Sequence, residues 1–319
     1  MFPFSLKRHS ILGVNARNLD YIFPTNARQL YRLADSKLET KKIAESIDVA
    51  VPETYAVISF QNQVKQLSEL LGEHKSFVVK PATGSGGDGI IVIKDVTDEG
   101  YVKVSGSILK PDDLQYHLYN ILGGIFSLGG QADVAIIESA VKFDPVFDEI
   151  AYQGVPDIRV IVYRGVPAMA MLRLPTRASD GKANLHRGGV GVGIDLSTGK
   201  TLKGIQYNRY IDDHPETEYA LSDRQIPHWQ TILEMAAKLS DETDFGYLGV
   251  DIVLDRDKGP VLLEINARPG LSIQIANGEG LIGRLEAIDE VVSKLSGIEE
   301  KIAFAQERFG ITEPSKISL

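Results

Sequence analysis

Residues 84–89 read Gly-Ser-Gly-Gly-Asp-Gly, and the residues on either side decide what such a stretch can build. Before it stands Phe77-Val78-Val79-Lys80, a strand ended by Pro81; after it stands Ile90-Ile91-Val92-Ile93, β-branched throughout and again a strand. By letter the stretch satisfies G-x-G-x-x-G. That fingerprint needs a helix directly after the glycines, because the helix N-terminus is what holds a pyrophosphate. A strand in that place rules out a dinucleotide turn of the Rossmann kind, and no Gly-Lys-Ser/Thr follows to make a Walker loop. A protein-kinase arrangement fails on order. Asp244-Phe245-Gly246 has no H-R-D-x-x-x-x-N loop, and Lys80 precedes the glycines instead of following them. Asp244-Phe245-Gly246 is expected to be a helix-to-strand connection. What remains is a flap between two strands, with backbone N–H groups able to close over a triphosphate and Lys80 beside it. A plain hairpin turn needs fewer glycines, and ordering four of them in six residues costs entropy.

A second constellation lies near the C-terminus. Asp251 sits in Gly-Val-Asp-Ile-Val-Leu-Asp, and Glu264 and Asn266 sit in Leu-Leu-Glu-Ile-Asn-Ala-Arg-Pro-Gly. Alternation along a strand turns Asp251 away from Val250 and Ile252, and puts Glu264 and Asn266 on one face. An antiparallel pairing around a turn at 256–259 then gathers two carboxylates and an amide oxygen. Hard oxygen donors of this kind suit Mg²⁺; a solvated charged face is the plainer alternative.

Between Arg173 and Arg187 the charge reverses. Arg173, Arg177, Lys182, His186 and Arg187 face a single acid, Asp180, with Asn184 among them. The whole chain carries 34 basic and 43 acidic residues, a formal charge of −9, so a basic cluster stands out as a candidate site for phosphate or carboxylate. A solvated loop is its competitor. The same acidic balance argues against nonspecific binding to nucleic acid or to an anionic membrane surface. No cysteine is present among the 319 residues, which excludes disulfides, thiolate metal sites and a cysteine nucleophile. No apolar run approaches the ~20 residues of a membrane helix, and the N-terminal stretch lacks a signal-type apolar core, so a cytoplasmic protein without membrane insertion is expected.

The remaining pattern predicts an α+β chain. Ser36 with Glu39 forms a capping box for a helix running to about Ile47. That helix puts Lys37 and Lys41 on one face. Helices are predicted near 61–71, 111–122, 226–240 and 285–295, with strands at 55–59, 134–139, 157–163, 167–174, 249–255 and 260–266. The expected organisation is an N-terminal segment (1–35), a lobe with the glycine loop (36–140), a lobe with the metal site (141–297) and a tail (298–319).

Taken in order, DSKLETKKIA (35–44), FVVKPATGSGGDGI (77–90), IIES (136–139), DIRVIVY (157–163), NLHRGG (184–189), GVDIV (249–253) and LEINARPG (263–270) resemble the ATP-grasp superfamily, and within it the RimK-type α-L-glutamate ligases. The resemblance spans about residues 35–295. It implies the ATP-grasp fold, two α/β lobes with mainly antiparallel sheets gripping ATP between them. It also implies roles. Lys37 and Lys80 would contact ATP phosphates, with Gly84, Ser85, Gly86, Gly87 and Gly89 in the mobile loop over them. Glu138, Ser139, Ala140 and Val141 would hold adenine and ribose. Asp157 and Arg159 would lie near nucleotide and substrate, and Arg173 and Asn184 would stabilise the transferring phosphoryl group. Asp251, Glu264 and Asn266 would bind two Mg²⁺ ions, with Mn²⁺ as a substitute. Arg268 and the turn after it would face the acceptor or the carboxylate substrate.

The activity implied is a carbon–nitrogen ligase that activates a carboxylate as an acylphosphate and passes it to an amine. The substrates would be small molecules or peptides, with glutamate the acid that the resemblance names. An ATP-binding regulator without turnover and a phosphotransferase are the alternatives. Relatives carry a whole α/β domain before the lysine helix, where only about 35 residues stand here. A second copy or a partner chain is therefore expected to supply that wall of the substrate site.

Overall fold

Thirteen strands among the described residues pair into two sheets, and every pairing between them is antiparallel. In this computed structural model the described residues are 10–84 and 86–310, without the Leu128 side chain. The chain divides into two compact units. The smaller takes Asp35–Lys41 and Val51–Lys142; the larger takes the chain up to Ala34, Lys42–Ala50, and the chain from Phe143 onward. The α+β class expected from the sequence is the one observed.

The smaller unit is built on strands β1 (Thr54–Ile58), β2 (Phe77–Pro81), β3 (Ile91–Thr97), β4 (Gly100–Lys103), β5 (Ile108–Leu109) and β6 (Ala135–Glu138), in the order β1-β6-β2-β3-β4-β5. One face is apolar: Ile58, Phe77, Val79, Ile93, Ala135 and Ile137 pack with Leu114, Leu118 and Ile121 of the helix Pro111–Leu122. The i, i+4, i+7 spacing of those three explains why this helix lies down on the sheet. Each such side chain contributes roughly 1.5–3 kcal/mol by leaving water. Alternation then forces Lys80 and Glu138 to the opposite face. The helix Lys37–Ser46 starts as predicted, with Ser36 Oγ accepting from the Glu39 N–H at 3.3 Å.

The larger unit is built on β7 (Asp157–Tyr163), β8 (Val166–Leu174), β9 (Val190–Ile194), β10 (Thr201–Gln206), β11 (Arg209–Ile211), β12 (Tyr247–Asp255) and β13 (Gly259–Asn266), in the order β11-β10-β9-β8-β7-β12-β13. The helix Trp229–Thr243 packs on β7, β8 and β12, and the helix Ile298–Phe309 packs on β8 and on that helix. Asp244 ends Trp229–Thr243 in a left-handed conformation and β12 begins at Tyr247, so the Asp-Phe-Gly string is a helix-to-strand connection.

The stretch before the lysine helix also belongs to this unit. A helical run from Val14 to Thr25 contains a π turn at Arg17–Ile22. Asn26 then clamps the start of β12, donating to Tyr247 O and accepting from Tyr247 N, both at 2.8 Å. Among the described residues no helix is long and apolar enough to cross a membrane.

Candidate functional site

In the smaller unit the register of β2 against β6 sets Val78 opposite Glu138 and Lys80 opposite Ile136, so Lys80 and Glu138 are diagonal neighbours on one face. Lys80 Nζ ion-pairs with Glu138 Oε1. Lys41 Nζ lies 2.5 Å from Glu138 Oε2 and donates to Thr54 Oγ1 at 2.8 Å. All three charged groups are buried. Two ammonium groups thus share one carboxylate on a protected face. Lys41 was not among the expected site residues. Its spacing from Lys37 hinted at a shared face, but its partner stands 97 positions later in the chain.

Glu138 was expected in an adenine-binding segment; its carboxylate is spent on the two lysines. Ser139 exchanges hydrogen bonds with Glu53, its N–H donating to Glu53 O at 2.8 Å and its Oγ accepting from Glu53 N at 3.0 Å. Ala140 and Val141 follow as half-buried irregular chain.

The glycine loop is fastened at both ends. Lys37 Nζ donates to Gly84 O at 2.5 Å, and Gly84 bridges to Ser127. At the other end His117 Nε2 donates to Gly89 O at 2.8 Å. A Cβ on Gly89 would come 2.6 Å from the Phe126 ring, and φ is +76° there, so only glycine fits. Gly86 and Gly87 also have positive φ. Ser85 lies outside the described residues.

In the larger unit the predicted strand pair forms, and a register shift between Asp251 and Ile252 sets Asp251 opposite Glu264 and Gly249 opposite Asn266. On its other side Asp251 stands opposite Arg159, and Asp157 opposite Arg173. Arg159, Asp251 and Glu264 therefore form one row across three strands, with Arg173 and Asp157 beside it. Arg159 holds Asp251 with a two-pronged contact, Nε to Oδ1 at 2.7 Å and Nη2 to Oδ2 at 2.5 Å. Arg173 donates Nη2 to Asp251 Oδ2 at 2.7 Å and Nε to Asp157 Oδ1. Asp251 is 1% exposed.

Burial and charge divide the two aspartates. Burial pushes the Asp157 carboxyl up, to about 6, against the pull of Arg173. Burial acts on Asp251 too, but Arg159 and Arg173 together outweigh it and hold that carboxyl down, at about 2. Arg173, caught between both acids, is raised above its ordinary value despite its own burial. The raised arginine and the raised Asp157 agree once the sharing is counted. Arg173 stays protonated, and Asp251 takes the larger part of the positive charge.

The basic segment does not act as one cluster. Arg173 is on β8 and meets acids from β7 and β12, whereas Arg177 leans on the Tyr152 ring, 5.7 Å from its centroid. Asn184 caps a short turn, its Oδ1 accepting from His186 N at 3.0 Å. Arg268 is exposed and lies over the Tyr31 ring, 4.3 Å from the centroid. Arg17 Nη1 donates to Pro269 O at 2.6 Å. Arg17 and Tyr31 were missed by the sequence reading, which gave residues 1–35 no role.

The donor chemistry at Asp251, Glu264 and Asn266 fits a magnesium ion. All three offer oxygen, and Asp251 Oδ1 accepts a single hydrogen bond, so a lone pair remains on it. Asn266 Oδ1 accepts from Arg268 N at 2.9 Å, which orients it. No cluster of three His, Cys, Asp or Glu side chains suited to a metal occurs among the described residues, and here the third donor is an amide.

Two antiparallel sheets, one carrying a glycine flap beside a buried lysine and the other a carboxylate–arginine row, define the ATP-grasp class. A sequence model of the sugar-transfer associated ATP-grasp family matches residues 16–290, and the chain belongs to that family. Among curated proteins, tubulin polyglutamylase TTLL11 of Homo sapiens is 25% identical over 257 residues, covering 76% of this chain and 34% of its own length. The chain thus spans about a third of the length of the curated relatives it matches. Among solved structures, ATP-grasp ligase PsnB complexed with minimal precursor superposes with a TM-score of 0.47 at 12% identity, covering 85% of this chain and 63% of that one. A RimK domain ATP-grasp protein from Sphaerobacter thermophilus gives 0.45 at 14% identity, covering 82% and 70%.

Proposed function

We propose that the chain is an ATP- and Mg²⁺-dependent carboxylate–amine ligase that forms an amide through an acylphosphate, with glutamate or another amino acid joined to a peptide or amine. The observation that carries this reading is the Arg159–Asp251–Glu264 row beside the Arg173–Asp157 pair. Phosphoryl transfer to a carboxylate brings anions together, and such transfer is catalysed mainly by positioned positive charge. A tubulin polyglutamylase among the relatives supports the amide-forming class.

In this reading a carboxylate oxygen attacks the γ-phosphorus and ADP leaves. The amine nitrogen then attacks the acyl carbon, the bond to the phosphate oxygen breaks, phosphate departs and the nitrogen loses a proton. Lys37, Lys80 and the glycine loop are assigned to the phosphates, and the 138–141 segment to the nucleoside. Arg173 and Asn184 are assigned to the transferring group, and Arg268 to a substrate carboxylate. Asp251, Glu264 and Asn266 are assigned to Mg²⁺, which when bound offsets phosphate charge. A second copy or a partner chain remains the assigned source of the further substrate wall, which sedimentation with and without ADP tests.

The test is ADP and phosphate release over a panel of acids and amines, with hydroxylamine added to trap the acyl group as a hydroxamate. A stable phosphoester product, or ADP release independent of any acid, overturns the reading. A second reading, a nucleotide-binding regulator without turnover, is favoured by the deep burial of Asp251 under two arginines. Tight ATP binding with no release on any pair of substrates selects it.

A further inference from the structure

A cavity of about 290 Å³ opens in the larger unit, and none of the side chains assigned above lines it. Its floor is apolar, Leu185 and Ile205. Its wall and rim are His186, Tyr207, Asn208 and Ser272. Three separate parts of the chain meet there: the short turn after Asn184, the tip of the β10–β11 hairpin, and the segment just past the Ala-Arg-Pro-Gly turn.

The hairpin tip is strained in a telling way. Tyr207 and Asn208 both have positive φ, +49° and +61°, as a two-residue hairpin turn of this hand requires. Asn-Gly is the low-cost solution; a tyrosine there costs on the order of 1 kcal/mol or more. Strain of this size persists where the side chain has a use. Here the Tyr207 hydroxyl rests against Gly188, where a Cβ would collide with it, and the residue as a whole is 63% exposed. Tyr210 fixes the same hairpin by donating to Ile275 O at 3.2 Å. An exposed tyrosine is therefore held at the cavity by a fixed backbone.

The chemistry of the lining selects the ligand. No aspartate, glutamate, lysine or arginine lines the cavity, so nothing there neutralises an amino-acid zwitterion, a phosphate or an ammonium group. Hydroxyl, amide and imidazole groups both donate and accept, and they surround an apolar floor and one aromatic ring. That combination matches a ring whose edge is hydroxyl and whose faces are C–H. The volume lies at the small end of ligand pockets and suits one such ring.

We propose that this cavity binds one sugar ring, and that the sugar carries the amine acceptor of the ligase reaction. The second half rests on the ligase reading; the first does not. The amine must be uncharged to attack the acyl carbon with loss of phosphate, and no lining carboxylate stabilises its ammonium form. The family's association with sugar transfer points the same way.

Saturation-transfer NMR on the full chain tests the site, with glucosamine, N-acetylglucosamine, glucose and glutamate as probes. Transfer to sugar ring protons is expected for wild type and for Tyr207→Phe, with a loss of at least several-fold in Tyr207→Leu and Asn208→Ala. Binding of a fluorescent ADP should stay the same in all four proteins. No transfer to any sugar, equal transfer in every variant, or transfer to glutamate alone overturns the site. ADP release, with a mixture of amino acids supplying the acid, should rise with glucosamine and not with N-acetylglucosamine. Release driven by an amino-acid amine, with sugars inert, overturns the acceptor assignment and leaves the ligase reading standing. Sugar binding without any ADP release overturns the ligase reading and the acceptor role together, and leaves the subsite.

Discussion

The Arg268 guanidinium carbon lies over the Tyr31 ring, 4.3 Å from its centroid, and through this contact a residue near the N-terminus sets the direction of a charge 237 positions later. An exposed cation–π contact is worth about 0.5–1 kcal/mol. Tyr31→Leu should therefore raise KM for the acid substrate by roughly 2–5-fold, with ADP affinity unchanged, whereas Tyr31→Phe should behave as wild type. Steady-state kinetics check this, and an effect on kcat alone would remove Arg268 from substrate binding.

Glu138 pairs with both Lys41 and Lys80. Replacing it with glutamine leaves two buried ammonium groups facing a neutral amide. Breaking a buried pair in this way costs about 3–5 kcal/mol. Urea unfolding of Glu138→Gln should show that loss, while Lys41→Met should lose less, because Glu138 keeps Lys80. A Glu138→Gln protein as stable as wild type would mean that the lysines find other partners.

Much of this arrangement was legible in the chain, and the failures share one cause. The β-branched runs located β2, β3, β7 and β12, and the turn at 256–259 brought Asp251 close to Glu264 and Asn266; the pairing of Asp251 with Glu264 itself comes from a register shift between Asp251 and Ile252. Local pattern decides where such strands lie, since a strand alternates and a short turn brings its partner alongside. Arg173 was grouped with the basic loop because its neighbours in sequence are basic; its neighbours in space, Asp157 and Asp251, come from other strands. Lys41 went unassigned for the same reason. The segment before Ala34 hid its role differently. The π turn at Arg17–Ile22 breaks the 3.6-residue period by which a helix is recognised, and Pro24 then looks like an end.

Asp251 joins both arginines to the oxygen set assigned to Mg²⁺. Asp251→Asn should abolish the rise in melting temperature that Mg²⁺ gives in the presence of ADP. It should also cut ADP release by about 100-fold or more, on the scale of losing one charge-stabilising group. A magnesium-dependent shift that survives the substitution would move the metal away from this row.

Asp157 supplies a pH test whose direction opposes the simple expectation for a salt bridge. Its carboxyl is pushed up from 3.8 to about 6, burial outweighing Arg173, so the folded protein binds this proton more tightly than the unfolded chain. Its stabilising contribution is complete below pH 3.8 and is lost as pH rises towards 6. Asp251 runs the other way: held down at about 2, it stabilises above pH 3.8 and loses that effect only in stronger acid. Asp157→Asn imitates the protonated form and keeps the Arg173–Asp251 contact. Between about pH 4 and pH 7, wild type should therefore lose stability relative to Asp157→Asn, by up to an order of 3 kcal/mol for two pH units. Urea midpoints of the two proteins, taken in metal-free buffer at each pH, give the difference directly, and titrations common to both cancel. If wild type gains on the variant as pH rises, the attraction of Arg173 exceeds the burial cost, and Asp157 is ionised throughout the range in which the protein is folded.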